Sequence, residues 1–434
     1  MNQARARHLL PALVRWSLGM MTTSLVLACS STSTQVSTSA TGGLGGSAGT
    51  GGVGGSPGAA SASVCGFKAA VSLGAPADDG FVDVPPNHPD ILYSGRVDCS
   101  NPKAPAFAFP GVSIRLRFQG DAIDLRLTDH GTGGATGTNY YDVIIDGAEP
   151  VVLQVSPTQE VYPIGRKLGP GEHTVEVFKR VESAPGGQAN AGKGELLGFR
   201  VLKGSAILPL AARPHRIELI GDSITCGYGN EVSTTTPDDS HYTTHESNAD
   251  RAWGAVAARA LDAEYMAVAY SGRGVSKNFM GGAGDTLPQM YGKSLPDDPA
   301  AAPWSVSAWT PEVVVINLGT NDFSAAGTDE AAYRAAYLAF LKTLRGYYPA
   351  ATFILAAGPM ISDYYPAGEM AWTKIQDDLK QIVAARKAEG DAAIASLLFQ
   401  PQSAPYGEDY HPTVATHQAM ADQLVAQIKQ LKGW

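Results

Sequence analysis

The segment most informative about the architecture runs from Arg216 to Thr225 and reads RIELIGDSIT. Its first half, Arg216–Ile220, is a short apolar strand, and Gly221, Asp222 and Ser223 follow this strand directly. Open α/β sheets place their active sites at the carboxyl ends of their strands, where such a polar turn would lie. The segment therefore predicts an α/β domain and makes Ser223 a candidate for its chemistry, although an isolated Gly-Asp-Ser usually forms only a turn.

Strands and helices alternate through the rest of residues 214–434. Val313–Leu318 is a run of β-branched and other apolar residues interrupted only by Asn317, as is typical of a strand buried on both faces. A strand pattern follows at 353–357, and helical patterns cover 249–261, 330–345, 372–388 and 414–431. Alternating strands and helices predict a parallel sheet with helices on both faces.

Residues 65–204 follow a different rhythm, in which apolar and polar residues alternate with period two. The pattern predicts two strands that each have one solvent-exposed face, Val112–Phe118 and Ala122–Leu127, and the turn between them resembles a hairpin turn. Many short strands bounded by Gly and Pro predict a β-sandwich. Cys65 and Cys99 lie in this part, and the sequence leaves open whether they form a disulfide.

The N-terminus carries the features of an export signal. Residues 1–29 contain three arginines, then a short apolar run, and end in LVLAC, which resembles the bacterial lipobox with Cys29 as the lipidated residue. An ordinary signal peptide that ends in cysteine is the alternative. Residues 30–63 are rich in Gly, Ser and Thr and predict a disordered linker. We expect an exported lipoprotein of the cell envelope, with a weak preference for the outer membrane, or a protein of the extracellular surface.

Charge and composition exclude several functions. Asp and Glu number 41 against 32 Lys and Arg, which gives a net charge of -9 and argues against nucleic-acid binding. No run of 18 or more apolar residues is present, so a helical membrane protein is excluded. His241, His245 and Glu246 fall in a polar loop without a third spaced ligand, and His417 is expected on the surface of the closing helix. We therefore predict neither a metal nor a cofactor.

Three further segments place polar groups at the same rim as Ser223. Gly272 and Asn321 each follow a strand-like run, and His411 precedes the closing helix. Acyl transfer needs such a set, because a serine hydroxyl requires a base and the tetrahedral oxyanion requires hydrogen-bond donors. His411 would be the base, and Asp409 would hold its imidazole ring. The backbone amides of Ser223 and Gly272 and the side chain of Asn321 would form the oxyanion hole.

These motifs resemble the four sequence blocks of the GDSL/SGNH hydrolases. GDSITCGYGN (221–230), SGRG (271–274), VVINLGTNDF (314–323) and DYHP (409–412) are similar, more narrowly, to carbohydrate esterase family 2. The resemblance implies a flavodoxin-like SGNH domain preceded by a jelly-roll β-sandwich. The general SGNH pattern places its acid three residues before the histidine, where this chain has Glu408. Asp409 stands two before, as in family 2, some of whose members lack the acid.

The resemblance also implies a substrate, acetylated polysaccharide or oligosaccharide. The expected reaction removes O-acetyl groups from plant cell-wall polysaccharides such as xylan or glucomannan, through an acyl-enzyme. Tyr410 is either a stacking platform for a sugar ring or a packed rim aromatic. An SGNH lipase or thioesterase, a peptidoglycan O-acetylesterase and a non-catalytic polysaccharide-binding lipoprotein remain open at this point.

Overall fold

The computed structural model describes residues 63–69, 71–236 and 241–434. The predicted signal peptide (1–29) with Cys29, and the predicted linker (30–63) apart from Ser63, lie outside these residues. All described residues belong to one unit, Gly58–Trp434.

The first domain is built from two antiparallel sheets of six strands each, which confirms the predicted β-sandwich. One sheet has the order β3-β4-β11-β6-β9 with β1 beside β11, and the other has the order β12-β5-β10-β7-β8 with β2 beside β5. The elements are β1 (Phe81–Val84), β2 (Leu92–Ser94), β3 (Val97–Asp98), β4 (Ala106–Phe107), β5 (Ser113–Gln119), β6 (Ala122–Asp129), α1 (Gly134–Gly137), β7 (Tyr140–Ile145), β8 (Val151–Gln154), β9 (Val161–Arg166), β10 (Glu172–Lys179), β11 (Gly194–Leu202) and β12 (Ala206–Leu208).

The expected hairpin between β5 and β6 is wrong. The two strands follow each other closely, but β5 pairs with β10 in one sheet whereas β6 pairs with β11 in the other. Leu116 of β5 and Leu125 of β6 are both fully buried in one core, because the strands face each other across the sandwich. The turn therefore links the two sheets.

Cys65 and Cys99 form a disulfide, with their Cα atoms 5.5 Å apart. The bridge ties the first described residues to the segment that follows β3.

The second domain is a parallel sheet of order β14-β13-β15-β16-β17, which confirms the predicted α/β class. The edge strand β17 was not predicted. The elements are β13 (His215–Gly221), α2 (Ser223–Cys226), α3 (Trp253–Ala260), β14 (Ala263–Ala269), α4 (Leu287–Met290), β15 (Val313–Asn317), α5 (Glu330–Tyr347), β16 (Thr352–Ala357), α6 (Ala371–Ala388), β17 (Ile394–Leu398) and α7 (Val414–Lys432).

Helices cover both faces of this sheet. Val313 and Val315 of β15 pack in one cluster with residues of α3 and α7, whereas Val314 and Ile316 pack in the other cluster with α5 and α6. All four side chains are fully buried, as expected for a central strand. His417 of α7, expected at the surface, is also fully buried. Among the described residues, no helix is long and apolar enough to cross a membrane.

Buried ion pairs join the two domains. Arg96 of the sandwich donates to Glu218 of β13 at 3.0 Å, and both side chains are completely buried. The guanidinium also lies 4.6 Å from the ring centres of Tyr291 and Trp304. Because a buried charge without a partner is costly, the two domains stabilise each other.

Candidate active site

Ser223 stands where β13 ends and α2 begins. The Asp222 side chain caps the helix by accepting from the Ile224 amide at 3.1 Å. A Cβ atom at residue 221 would lie 2.0 Å from the hydroxyl oxygen of Thr225, so the tight turn requires glycine there. The resulting geometry puts the Ser223 hydroxyl 2.7 Å from Nε2 of His411. The structure thus brings together the two residues predicted to be nucleophile and base.

The partner of the other imidazole nitrogen fixes the tautomer of His411. Nδ1 lies 2.9 Å from the backbone carbonyl oxygen of Glu408. A carbonyl oxygen only accepts, so Nδ1 carries the hydrogen and Nε2 presents a lone pair to the Ser223 hydroxyl. Burial lowers the pKa of His411 to about 4, and the ring is therefore neutral at pH 7. This is the protonation state that a general base requires.

The backbone carbonyl that lies at hydrogen-bond distance from Nδ1 was not named by the sequence analysis. The predicted role of Asp409 in holding the imidazole ring stays a prediction. The carboxylate accepts from the Tyr228 hydroxyl at 2.8 Å. Left-handed backbone at Asp409 (φ 48°) and Tyr410 (φ 61°) produces this turn. The carboxylate still acts on His411 through its charge, which together with the carbonyl raises a pKa that burial depresses.

Tyr228 is a site residue that the sequence analysis missed. Its ring lies 4.4 Å from the His411 ring, centre to centre, and stacks at 4.3 Å on Tyr242 from the other side. Burial raises the pKa of Tyr228, and the Asp409 charge adds to this effect. Its position inside the 221–230 motif was the only available signal.

Two predicted oxyanion donors are backbone amides. Among the described residues, neither the Ser223 nor the Gly272 amide donates to a protein acceptor. Gly272 follows β14 with a φ of 77°, a left-handed conformation that favours glycine. Both amides are thus available to a ligand, and their role as donors stays a prediction.

Asn321 is held beside the nucleophile turn. Its amide nitrogen donates to Asp222 at 3.2 Å and to the Arg273 carbonyl at 2.9 Å. Burial raises the pKa of Asp222 to about 7, and the Asp322 charge adds to it. Asp322 in turn accepts from the amides of residues 275–277 at 2.8–2.9 Å. The loops that carry Asp222, Gly272 and Asn321 are therefore fixed to one another, and the contribution of Asn321 to an oxyanion hole stays a prediction.

Tyr410 is 52% exposed. Its ring lies 5.3 Å from that of Tyr406, and two neighbouring aromatics are thus available at the rim. The sugar-platform role stays a prediction. By contrast, Trp304 and Trp309 are buried in the core.

Acyl transfer is the chemistry that this arrangement supports. It supplies a hydroxyl nucleophile in contact with a neutral, oriented base, next to unengaged amides at the end of a parallel sheet. Within the described ranges, no group of three His, Cys, Asp or Glu side chains is placed to hold a metal ion. Fold and site together define a serine hydrolase of the GDSL-like type.

Comparison with known proteins agrees with this class. The chain matches the family model "Carbohydrate esterase 2 N-terminal" over residues 93–210 and the model "GDSL-like Lipase/Acylhydrolase family" over residues 219–419. An "Acetylxylan esterase / glucomannan deacetylase" of Cellvibrio japonicus is 31% identical over 364 residues, which cover 79% of this chain and 91% of that protein. The chain therefore belongs to carbohydrate esterase family 2.

Two further matches are to proteins of Acetivibrio thermocellus and Clostridium thermocellum. The "Cellulase/esterase CelE" of Acetivibrio thermocellus is 34% identical over 352 residues, which cover 80% of this chain but only 40% of that longer protein. The structure of a family two carbohydrate esterase from Clostridium thermocellum, solved in complex with cellohexaose, has a TM-score of 0.70 and 33% identity. It covers 79% of this chain and 99% of that one.

Proposed function

We propose that this protein is a serine esterase that removes O-linked acetyl groups from plant cell-wall polysaccharides such as acetylated xylan or glucomannan. The observation that carries the proposal is the 2.7 Å contact between the Ser223 hydroxyl and Nε2 of His411. The relative from Cellvibrio japonicus, an acetylxylan esterase and glucomannan deacetylase, supports the reaction and the substrate. The cellohexaose bound by the Clostridium esterase supports a polysaccharide partner.

The geometry assigns each proton in the reaction. The Ser223 oxygen attacks the acetyl carbonyl carbon while its proton moves to Nε2 of His411. The oxyanion forms next to the Ser223 and Gly272 amides. Collapse breaks the bond to the sugar oxygen, which takes the proton from the imidazolium. Water then attacks the acetyl-serine by the same route, and acetate leaves with Ser223 restored.

Acetate release from acetylated xylan by the full-length protein, beside its Ser223→Ala variant, tests the proposal. We expect acetate release by the wild type and none by the variant. Removal of a nucleophile that acts as a unit with its base lowers kcat by about 10⁶-fold. Cleavage of a small activated acetyl ester without release from xylan would keep the mechanism and overturn the substrate. Equal rates for wild type and variant would overturn the mechanism.

The same assay separates the related enzyme classes. An acetyl esterase should prefer an acetyl over an octanoyl test ester, whereas a lipase or thioesterase should not. Acetate release from acetylated peptidoglycan that exceeds release from xylan would indicate a bacterial wall substrate. We expect Tyr410→Ala to raise KM for xylan and to leave KM for the small ester unchanged, because only a sugar chain would stack on the ring.

We further propose that the protein is exported and anchored to a membrane through a lipid at Cys29. The basic start, the apolar run and the LVLAC sequence support this. The disulfide between Cys65 and Cys99 is in keeping with an oxidising compartment. Incorporation of labelled fatty acid into the full-length protein, and its loss in Cys29→Ser, is the expected result. Equal labelling of both proteins would contradict the anchor.

A further inference from the structure

The loop between β10 and β11 of the sandwich contacts the hydrolase domain. Arg180 donates to Asp142 of its own domain at 3.0 Å, and to the backbone carbonyl of His245 in the second domain at 2.8 Å. The buried Lys179 ammonium donates to the carbonyls of Val181 and Glu182. These bonds fix the path of the loop, and the Glu182 side chain of this loop reaches the active site.

The Glu182 side chain is only 4% exposed. Its carboxylate accepts from the Ser271 hydroxyl at 2.7 Å and from the Ser271 amide at 3.0 Å. The Cys226 sulfur lies 3.8 Å from the same carboxylate. Ser271 directly precedes Gly272, and Cys226 lies three residues after Ser223 on α2. One carboxylate of the first domain thus contacts both segments that carry the backbone donors.

We propose that Glu182 is a positioning residue that holds the Gly272 amide in the oxyanion hole, so that the β-sandwich completes the active site of the hydrolase domain. The inference rests on the proposed function, since it presupposes a serine esterase mechanism.

Hydrogen bonds hold the backbone on both sides of Gly272, since Glu182 accepts from Ser271 before it and Asn321 donates to the Arg273 carbonyl after it. Among the described residues, and apart from its two chain neighbours, only the Cβ of Phe279 would lie within 4 Å of a Cβ atom at residue 272, at 3.8 Å. Side-chain packing therefore does not hold the glycine. Hydrogen bonds do: the Phe279 amide donates to the Gly272 carbonyl at 2.8 Å, and Ser271 is bound twice by Glu182. Donors must lie within about 0.5 Å of the productive geometry, so loss of the Glu182 contacts should displace the amide.

The substitution that tests this is Glu182→Leu, with Glu182→Gln as its conservative partner. Leucine removes both acceptors, and we expect kcat for a small activated acetyl ester to fall by about 100-fold. KM should change less than about twofold, because an oxyanion donor acts on charge that develops only in the transition state. Glutamine can accept from the Ser271 amide and donate to its hydroxyl oxygen, so kcat should stay within about fivefold of wild type.

Glu264 provides the matched control. It is also a buried carboxylate that joins the domains, since it accepts from Ser94 of the sandwich at 2.5 Å and pairs with Arg115. It stands near the start of β14, at the end of the sheet remote from Ser223. Glu264→Gln should therefore lower the melting temperature and leave kcat within about twofold of wild type.

Each outcome decides the proposal. A folded Glu182→Leu protein with wild-type kcat overturns it, and so does a loss in Glu182→Gln or Glu264→Gln as large as in Glu182→Leu. If the leucine variant does not fold, Ser271→Ala replaces it: a fall in kcat at constant KM supports the proposal, and wild-type kcat overturns it. Failure of the esterase mechanism itself is seen separately, as activity that survives Ser223→Ala.

Discussion

Replacement of Asp409 by asparagine tests how the base is held. In a triad whose carboxylate holds the histidine, this change costs about 10⁴-fold in kcat, because the imidazole adopts the wrong tautomer. Here the Glu408 carbonyl at 2.9 Å from Nδ1 remains in the variant, so the tautomer is kept. Asparagine also tolerates the left-handed backbone at residue 409 (φ 48°) and offers the Tyr228 hydroxyl an acceptor.

What the variant loses is the carboxylate charge, which stabilises the imidazolium of the transition state. Asp409 is partly open to solvent, and at an effective dielectric constant of about 40–80 a charge about 4 Å away contributes about 1–2 kcal/mol. We therefore expect kcat/KM at neutral pH to fall about 5- to 30-fold. The pKa of His411 should fall further below its value of about 4, since the Asp409 charge raises it.

The assay is kcat/KM for an uncharged acetyl ester between pH 3 and 8, with His411→Ala as the reference for complete loss of the base. The acid limb of the profile should move to lower pH in Asp409→Asn. A loss of 10³-fold or more at pH 7, or an acid limb that moves to higher pH, would refute the argument, because either result would mean that the carboxylate holds the ring.

Three further predictions follow from the buried charges and histidines. In wild type, the acid limb of kcat/KM should lie near pH 4, because burial lowers the pKa of His411 to about 4. At pH 5 about 90% of His411 would then be neutral, against about 3% of an ordinary histidine. An inflection of kcat/KM near pH 6.5 would contradict this prediction. The contribution of the histidines to the free energy of unfolding should be constant above pH 6.5. Below pH 6.5 the free energy of unfolding should fall as the pH decreases, because burial lowers the pKa of His417 to about 3 and the unfolded state therefore takes up the proton first. The free energy of unfolding should change by up to about 1.4 kcal/mol per pH unit for each histidine. The variant His417→Gln keeps an acceptor for the Trp253 amide, and its stability in urea should depend less steeply on pH than that of wild type. An unchanged slope would exclude His417 as the source of the pH dependence. Arg96→Met should destabilise the protein by about 3–5 kcal/mol in urea unfolding, because it leaves the Glu218 carboxylate buried without its partner; a cost below about 1 kcal/mol would show that Glu218 becomes neutral or hydrated in the variant.

Local patterns were sufficient to predict the α/β domain. Val313–Ile316 are all β-branched and apolar because both faces of the strand are buried, and the observed β15 begins at the same residue. The pairing of strands was harder, since β5 and β6 have the same period-two pattern whether they share a sheet or face each other across a core. Sequence periodicity reports which face is buried, but not which strand lies beside it.

The site was predictable to the same degree. Ser223 and His411 were found because their side chains perform the chemistry, and the motif blocks fix their positions in the chain. The group that accepts the hydrogen bond from Nδ1 of His411 was not found, because it is a backbone carbonyl, which every residue possesses. Glu182 was missed because it lies in the other domain, with no motif around it, and only the folded chain brings it to Ser271.

The buried pair Arg96–Glu218 also constrains how this protein can be recombined. In a chimera that joins this sandwich to the hydrolase domain of a relative, the Arg96 guanidinium would be buried without a carboxylate partner unless the relative also has an acidic residue at the position of Glu218. The two family models, which meet between residues 210 and 219, therefore describe halves that must be inherited together. Substitutions at residues 96 and 218 should covary among relatives, even though 122 positions separate them in the sequence.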